Sequence, residues 1–531
     1  MRSFGTWMEK HCTGGGAATP PAGRWAVTPP PPEPPAPEPS PPPAPPAPPK
    51  CALGETPQFN LLSGIWACVS RPGAPPPSPP VKISSCNQLL QDVGLCFPSG
   101  AVILHPPPAP APGTFIDPTT ETCYGTAGPS GMGKAVEAMD GCTTNGGNTL
   151  HSASGSFTPA MNGEQISVYE NATALTGEPN CTGSWDGFCP RWPGQVTYAT
   201  VTYIDANDLQ LSTPTPFASA CNAFYTVGTN DAACLQTAVN TAASQGKQVY
   251  LSQPGTYTIS GPAGVYLPSN TTLTCAPGVA LLNPNLSNPA LGPNGGAGVG
   301  SEIFTLSYAS NVTIQGCFLE GADRFSPGGY IDLWREFDNS IGIVGSSNNN
   351  MIANNAFAYF WGDQGITMNG SGANAPHNNT ITENTCYNSI FLQISQGVNT
   401  TVSNNQLTNC NIDIQDNNVP NNNCEITGNV VSGNSVTAQG VAGWCLEGLA
   451  AHALWGPGCA AGGEGGLAMI DCGAYTSPGA PYTSSTCGPL AYSGNSCLNN
   501  TLSGVGAELL YAPQAGGFYQ GNSCVNGATG C

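Results

Sequence analysis

One short unit constrains this chain more than any other: an aliphatic residue followed three places later by asparagine, which returns at Ile352/Asn355, Ile381/Asn384, Val402/Asn405 and Ile426/Asn429, with steps of 29, 21 and 24 residues. A repeat of that length marks a solenoid, in which each turn buries its apolar face only against the turns beside it. A second apolar file, Ile341, Ile366, Leu392 and Ile412, runs at steps of 25, 26 and 20 and predicts a second sheet of the same coil. Its alternate residues Gly342, Thr367, Gln393 and Asp413 are then expected to face solvent. YSGNSC and YQGNSC, with Asn495 and Asn522, carry the repeat toward the C-terminal end. Stacked in one file, the asparagines would bond their neighbours above and below and satisfy amides that a tight buried turn would orphan. Residues 431–486 break the period and read as a cysteine-pinned excursion, with a short helix expected around Trp444 to Leu454.

Upstream of the repeat, Asp231 stands where a helix N-cap belongs. Leu235, Ala238, Val239 and Ala242 share one face, and Gly246 ends the helix. Strands QVYLS and TYTIS follow around a Pro254-Gly255 turn. The stretch from Gly228 through LPSNTTL resembles the entry of pectate-lyase-like proteins, which include secreted polysaccharide-degrading enzymes and phage tail-spikes. The resemblance covers residues 154–531. It implies an all-β fold, a right-handed parallel β-helix at 216–531 whose N-terminal end is plugged by the helix, after a small Cys-containing β-region.

The remaining chain divides by composition. Residues 1–50 form a Pro-rich tail whose PPPPEPPAPEPSPPPAPPAPP run is expected to be an extended spacer, a type that recurs at Pro75–Pro80 and Pro106–Pro112. Residues 51–80 hold a small hairpin closed by Cys51 and Cys68, and 81–215 a Cys-containing, β-rich lead-in region.

Charged residues are only 8% of the chain and the net charge is -20, with no Lys/Arg run, so nucleic-acid binding is disfavoured. Twenty-three cysteines without a zinc-like cluster indicate disulfides made in an oxidising compartment, extracellular or at the cell surface. Several gaps are short, among them Cys123/Cys142 and Cys221/Cys234, and sequential pairing is one reading of a connectivity that sequence does not fix. No stretch is long and apolar enough for a membrane span, and the start lacks the apolar core of a secretory leader, in tension with export. N-x-S/T triplets such as those at Asn270, Asn311, Asn378 and Asn399 suit a glycoprotein, yet Asn-rich turns generate them unaided.

Register selects the chemistry, because adjacent coils lie about 4.8 Å apart. Counting back three from Ile341 and Ile366 pairs Asp338 with Asp363, beside Arg335 and Glu336 in the charged stretch YIDLWREFDN. Two carboxylates so close repel, which separates their protonation and can set an acid beside a base, as in retaining glycosidases. A shared Ca²⁺ serving a lyase is the alternative cofactor reading, with none required by the first; no metal-ligand set of His and Cys is visible. Arg335 and Glu336 could contact a substrate, or simply neutralise each other at the surface. WGDQGITM, FLQISQ and NIDIQDNN resemble the GDGI, QGISI and GIDI run of bacterial β-helix proteins. That likeness adds Asp413 as catalytic and Gln393 and Asp416 as substrate-binding residues on one face with Asp363, where such proteins hold sugars; Trp334, Trp361 and Tyr359 could stack on sugar rings or simply be buried aromatics. The paired aspartates of polygalacturonases, GHG, RIK and the arginine signatures of pectate lyases are missing. Two function classes therefore stand: an enzyme acting on extracellular polysaccharide, or a non-catalytic adhesive or fibre-forming protein that self-assembles. GPSGMGKA imitates a phosphate-binding loop but ends in Ala135 where Mg²⁺ needs a hydroxyl.

Overall fold

The computed structural model describes residues 103, 105–120, 132–169, 196–259, 264–283, 302–321, 340–360, 365–370, 374–394, 396–414, 426–438, 468–472, 492–504, 507–510, 517–528 and 530–531, together with strands at 55–60 and 65–70. The latter two, Glu55–Asn60 and Ile65–Ser70, pair antiparallel with Phe59 opposite Trp66, as a hairpin requires. They belong to a compact unit of their own.

The larger unit is a right-handed parallel β-helix, with three sheets running along the stack. Sheet A takes Gln248–Leu251, Thr272–Cys275, Thr313–Gln315, Met351–Ala353, Thr380–Thr382, Thr401–Ser403, Val430–Ser432, Ser496–Leu498 and Tyr519–Gln520. Sheet B begins with Gly255–Thr258, Val279–Asn283, Phe318–Gly321 and Ala356–Ala358, and sheet C with Val265–Tyr266, Phe304–Ser307, Ile341–Val344 and Ile366–Asn369. Thr385–Ile394 and Gln406–Ile414 are long enough to serve both B and C. Each strand gives the interior every second residue, so Leu273, Ile314, Ile352, Ile381, Val402 and Val431 form one fully buried file. Ile341, Ile366, Leu392 and Ile412 are register partners as expected, and Ile470 and Leu509 extend their file.

The asparagines pile up as the fold demands, but in two ladders rather than one. Asn355, Asn384, Asn405, Asn434, Asn500 and Asn522 line the corner after sheet A, each side-chain oxygen accepting from the backbone N–H of the one before at 2.9–3.0 Å. Asn350/Asn379 and Asn429/Asn495 stack in the corner before it. Asn429 and Asn495, assigned by the repeat to the first file, therefore belong to the second. Ile426 likewise pairs with Gly397 and Tyr492, not with Val402. The confusion has a physical source: an asparagine flanks each end of the short sheet A strand, five residues apart, so the unit occurs twice per coil.

Each ladder residue is preceded by one in the left-handed region. Examples are Asn349, Asn354, Asn378, Asn404 and Asn499, with φ between 54° and 57°, and Gly428 and Gly433. Asparagine and glycine tolerate that conformation best, which explains the recurring N-N and G-N doublets. The triplets at Asn270, Asn311, Asn378 and Asn399 fall on this corner, and their threonines Thr272, Thr313, Thr380 and Thr401 open the following strand. Turn chemistry alone accounts for them.

Period breaking at 431–486 is narrower than expected. Val430–Ser432 and Ser435–Thr437 continue the coil, and Ala468–Asp471 returns in register with Asn411–Asp413. The expected helix near Trp444 lies outside the described residues.

Helix Ala232–Gln245 plugs the first coil through Leu235, Ala238, Val239 and Ala242, which join Val249 and Leu251 in the core; Gly246 (φ 63°) ends it. Before it, Val136 to Gly228 form a closed six-stranded antiparallel barrel. Pro106–Pro112 is no free spacer. Ile103 before it is buried on Ala280, Phe318 and Ala356, and Phe115–Ile116 after it pairs with Gln248–Val249. The stretch is thus fastened at both ends across the first coils.

Cys142 pairs with Cys221, not with Cys123, and Cys221 not with Cys234, because antiparallel pairing of Gly141 with Ala223 brings those strand ends together. Cys275–Cys317, Cys386–Cys410 and Cys472–Cys497 tie successive coils, and Cys524–Cys531 clasps the last one.

Candidate functional site

Sheet C sends one file outward that is rich in polar side chains. Between core residues such as Phe304/Leu306, Ile341/Ile343, Ile366/Met368, Leu392/Ile394 and Ile412/Ile414, the register aligns Tyr266, Thr305, Gly342, Thr367, Gln393, Asp413 and Asp471. This row was expected to face solvent, and the structure corrects that. Thr305, Thr367, Gln393 and Asp413 are 2–7% exposed, leaving Tyr266 at 51% as the open end.

The cover is visible at Gly342. A Cβ there would stand 2.2 Å from Glu302 Oε1, so the buried Glu302 carboxylate lies across the row and accepts a hydrogen bond from the Thr305 hydroxyl. Only glycine leaves it that room.

Asp413 and Gln393 are brought together as register partners on adjacent coils. Asp338, Asp363, Trp361, Arg335, Glu336 and Asp416 lie outside the described residues. Tyr359 packs instead with Ile103 and Phe318, away from sheet C. Two residues were missed, one of them an acid. Asp471 is the register partner of Asp413, and Ile470-Asp471 repeats Ile412-Asp413 in both sequence and pairing. That echo was legible, but it sat inside the segment read as an excursion. Asn411, two residues before Asp413 on the same outward side, is 1% exposed, and among the described residues its Oδ1 has no hydrogen-bond partner. A buried acceptor without a donor is costly to keep and suits a ligand hydroxyl.

The most perturbed carboxylate lies elsewhere. Asp231 occupies the N-cap position, but its side chain does not cap the helix; its Oδ1 accepts from Gly133 N–H at 3.0 Å and from the Thr229 hydroxyl. Burial, reinforced by nearby Glu164, pushes it up to about 7. A folded pKa above the unfolded one gives stability that is full below about pH 4 and is lost as pH rises toward 7. Asp231→Asn is expected to remove that slope and to gain roughly 2–4 kcal/mol at pH 8. Urea midpoints at pH 4.5 and 8 test this, and an unchanged slope in the variant refutes it.

Among the described residues no group of three or more His, Cys, Asp or Glu is disposed to hold a metal ion, and no helix is long and apolar enough to cross a membrane. Residues 298–441 match the family model described as periplasmic copper-binding protein (NosD). Within that span the described copper-type donors are not brought together: Met368 is in the core, Met351 points out of sheet A, His377 stands alone in the corner before sheet A with Nδ1 3.3 Å from Ala375 O, and Cys317, Cys386 and Cys410 are in disulfides. No curated protein matches the chain.

Among solved structures, the chain is similar to the catalytic domain of a GH87 α-1,3-glucanase in complex with nigerose. That match has 11% identity, covers 75% of this chain and 87% of that one, and has a TM-score of 0.31. It is also similar to an alginate lyase from Paenibacillus sp. (17%, covering 55% and 97%, TM-score 0.24). A third likeness is to the surface protein and adhesin PfbA of Streptococcus pneumoniae (12%, covering 56% and 96%, TM-score 0.25). At these scores the likenesses carry no argument, and the fold rests on the chain's own register.

Proposed function

We propose that the outward face of sheet C binds an extracellular polysaccharide and that its stacked aspartates can cleave it. The observation that carries this reading is the pairing of Asp413 with Asp471 on adjacent coils, beside the unpartnered acceptor of Asn411. Adjacent coils lie about 4.8 Å apart, so the positions of Asp413 and Asp471 are close enough to serve one glycosidic bond. One would protonate the leaving oxygen while the other attacks or activates water. Asp338 and Asp363 would extend the same acidic face, with Arg335, Glu336, Trp361, Gln393 and Asp416 holding the chain of sugars. In a lyase, Ca²⁺ shared between such carboxylates would instead acidify the carbon next to a uronate. Disulfides between coils support an extracellular or cell-surface location.

Burial of Thr367, Gln393 and Asp413 favours a second reading, a non-catalytic adhesive or fibre-forming rod. A panel of neutral and uronate-containing polysaccharides, with and without Ca²⁺, separates the two. Cleavage that falls about 10²–10⁴-fold in Asp413→Asn, and comparably in Asp363→Ala, supports the enzyme. Cleavage undiminished in both variants would sink the assignment of these residues, and binding without turnover would favour the rod.

A further inference from the structure

We propose that the Tyr308 ring is a stacking platform for a neutral pyranose unit, at the edge of the sheet C face. The inference rests on the polysaccharide reading and adds to it a residue and a substrate class.

Tyr308 follows strand Phe304–Ser307 and is 61% exposed, yet its backbone is left-handed, with φ 52°. Asparagine or glycine fills nearly every such corner of the stack, and a bulky side chain there is a costly exception. The other tyrosine with this backbone, Tyr359, packs into an apolar cluster, whereas Tyr308 leaves most of its surface to water.

The coil below is shaped to receive the ring. Gly345, itself at φ 63°, lies under it: a Cβ there would stand 2.8 Å from Tyr308 Cε1 and Cζ. Tyr308 N–H donates to Val344 O at 3.2 Å and Gly345 N–H to Asn369 O at 3.1 Å, fixing the two corners in register. The ring is therefore held on one side by backbone and open on the other, the arrangement that a sugar's apolar C–H face needs. Ser307 and Asn369, in the file beside it, offer a hydroxyl and an amide to sugar hydroxyls.

Charge selects the class. Among the described residues the Lys and Arg side chains are Lys134 and Lys247, both at the start of the stack. The described coils from residue 264 onward thus present no Lys or Arg, and the whole chain carries -20. At a net charge of -20 a polyuronate meets repulsion that Arg335 offsets only in part, and a neutral glycan meets none.

The test is binding of the full chain to neutral glucans, mannans and xylans, against polygalacturonate and alginate with and without Ca²⁺. Wild type is expected to prefer a neutral glycan. Tyr308→Asn, which suits the left-handed backbone, should bind about 3- to 10-fold more weakly while melting no lower than wild type. Tyr308→Phe should bind within about twofold, because stacking needs the ring and not the hydroxyl. Wild type binding a neutral glycan that Tyr308→Asn binds equally well overturns the platform alone. Preference for a polyuronate overturns the class. Failure of wild type to bind any glycan overturns the polysaccharide reading itself.

Discussion

Asn384→Leu is expected to lower the unfolding free energy by about 3–6 kcal/mol, one of the largest effects available to a single side chain here. Asn384 Oδ1 accepts from Asn355 N at 2.9 Å and from Asn355 Nδ2 at 3.2 Å, while its own amide donates to Ile352 O at 2.9 Å and to Asn405 Oδ1 at 3.1 Å. The site is fully buried, so water cannot replace those partners. Leucine keeps the branched shape but is bulkier, and it orphans the Asn355 N–H, one Asn355 Nδ2 proton and Ile352 O at once, while Asn405 Oδ1 keeps the Asn384 N–H; each orphan costs about 1–3 kcal/mol. Asn378→Gly is the matched control. Asn378 is exposed and supplies mainly a left-handed backbone at φ 55°, which glycine also adopts, so a change within about 0.5 kcal/mol is expected. Equilibrium urea unfolding checks both, and an Asn384→Leu protein within 1 kcal/mol of wild type would show that the ladder is decorative.

That contrast also explains what the sequence disclosed. A coil of two dozen residues must place one apolar and one amide side chain at fixed points of each turn, so Ile341, Ile366, Leu392 and Ile412 are readable as a file from their spacing alone. Assigning Asn429 was harder, because Asn429 and Asn434 flank one short strand and spacing alone fits either. Pairing between corners, not periodicity, separates them. The plug helix was legible for a simpler reason: four apolar residues on one face and a glycine stop are local information.

The site was less legible. Alternation correctly sent Gln393 and Asp413 outward, but exposure depends on what covers a face, and the Glu302 carboxylate over Gly342 comes from 40 residues upstream. Asp471 was hidden by its surroundings, since its strand is four residues long and register is a property of the neighbour. Tyr308 gives no sequence signal at all; an aromatic residue after a strand reads as core until its backbone angle and exposure are known.

Val239→Asp should prevent the stack from ending cleanly. Val239 is fully buried, on the helix face that meets Val249 and Leu251 of the first coil, and a carboxylate there has no partner within an apolar cluster. Its desolvation costs several kcal/mol, so the helix is expected to leave the end rather than bury the charge. What it uncovers is worse than a cavity: a disc of apolar side chains bordered by strand edges with free backbone donors and acceptors, the template on which β-solenoids join end to end. The variant is therefore expected to appear as aggregate or high-mass species in size-exclusion chromatography, with the remaining monomer melting well below wild type. Asn240→Asp, one residue along and exposed, adds the same charge and keeps an acceptor for Gln236 Nε2, so it should remain wild-type in both readouts. A monomeric Val239→Asp protein with unchanged melting would mean that the helix decorates the stack without closing it.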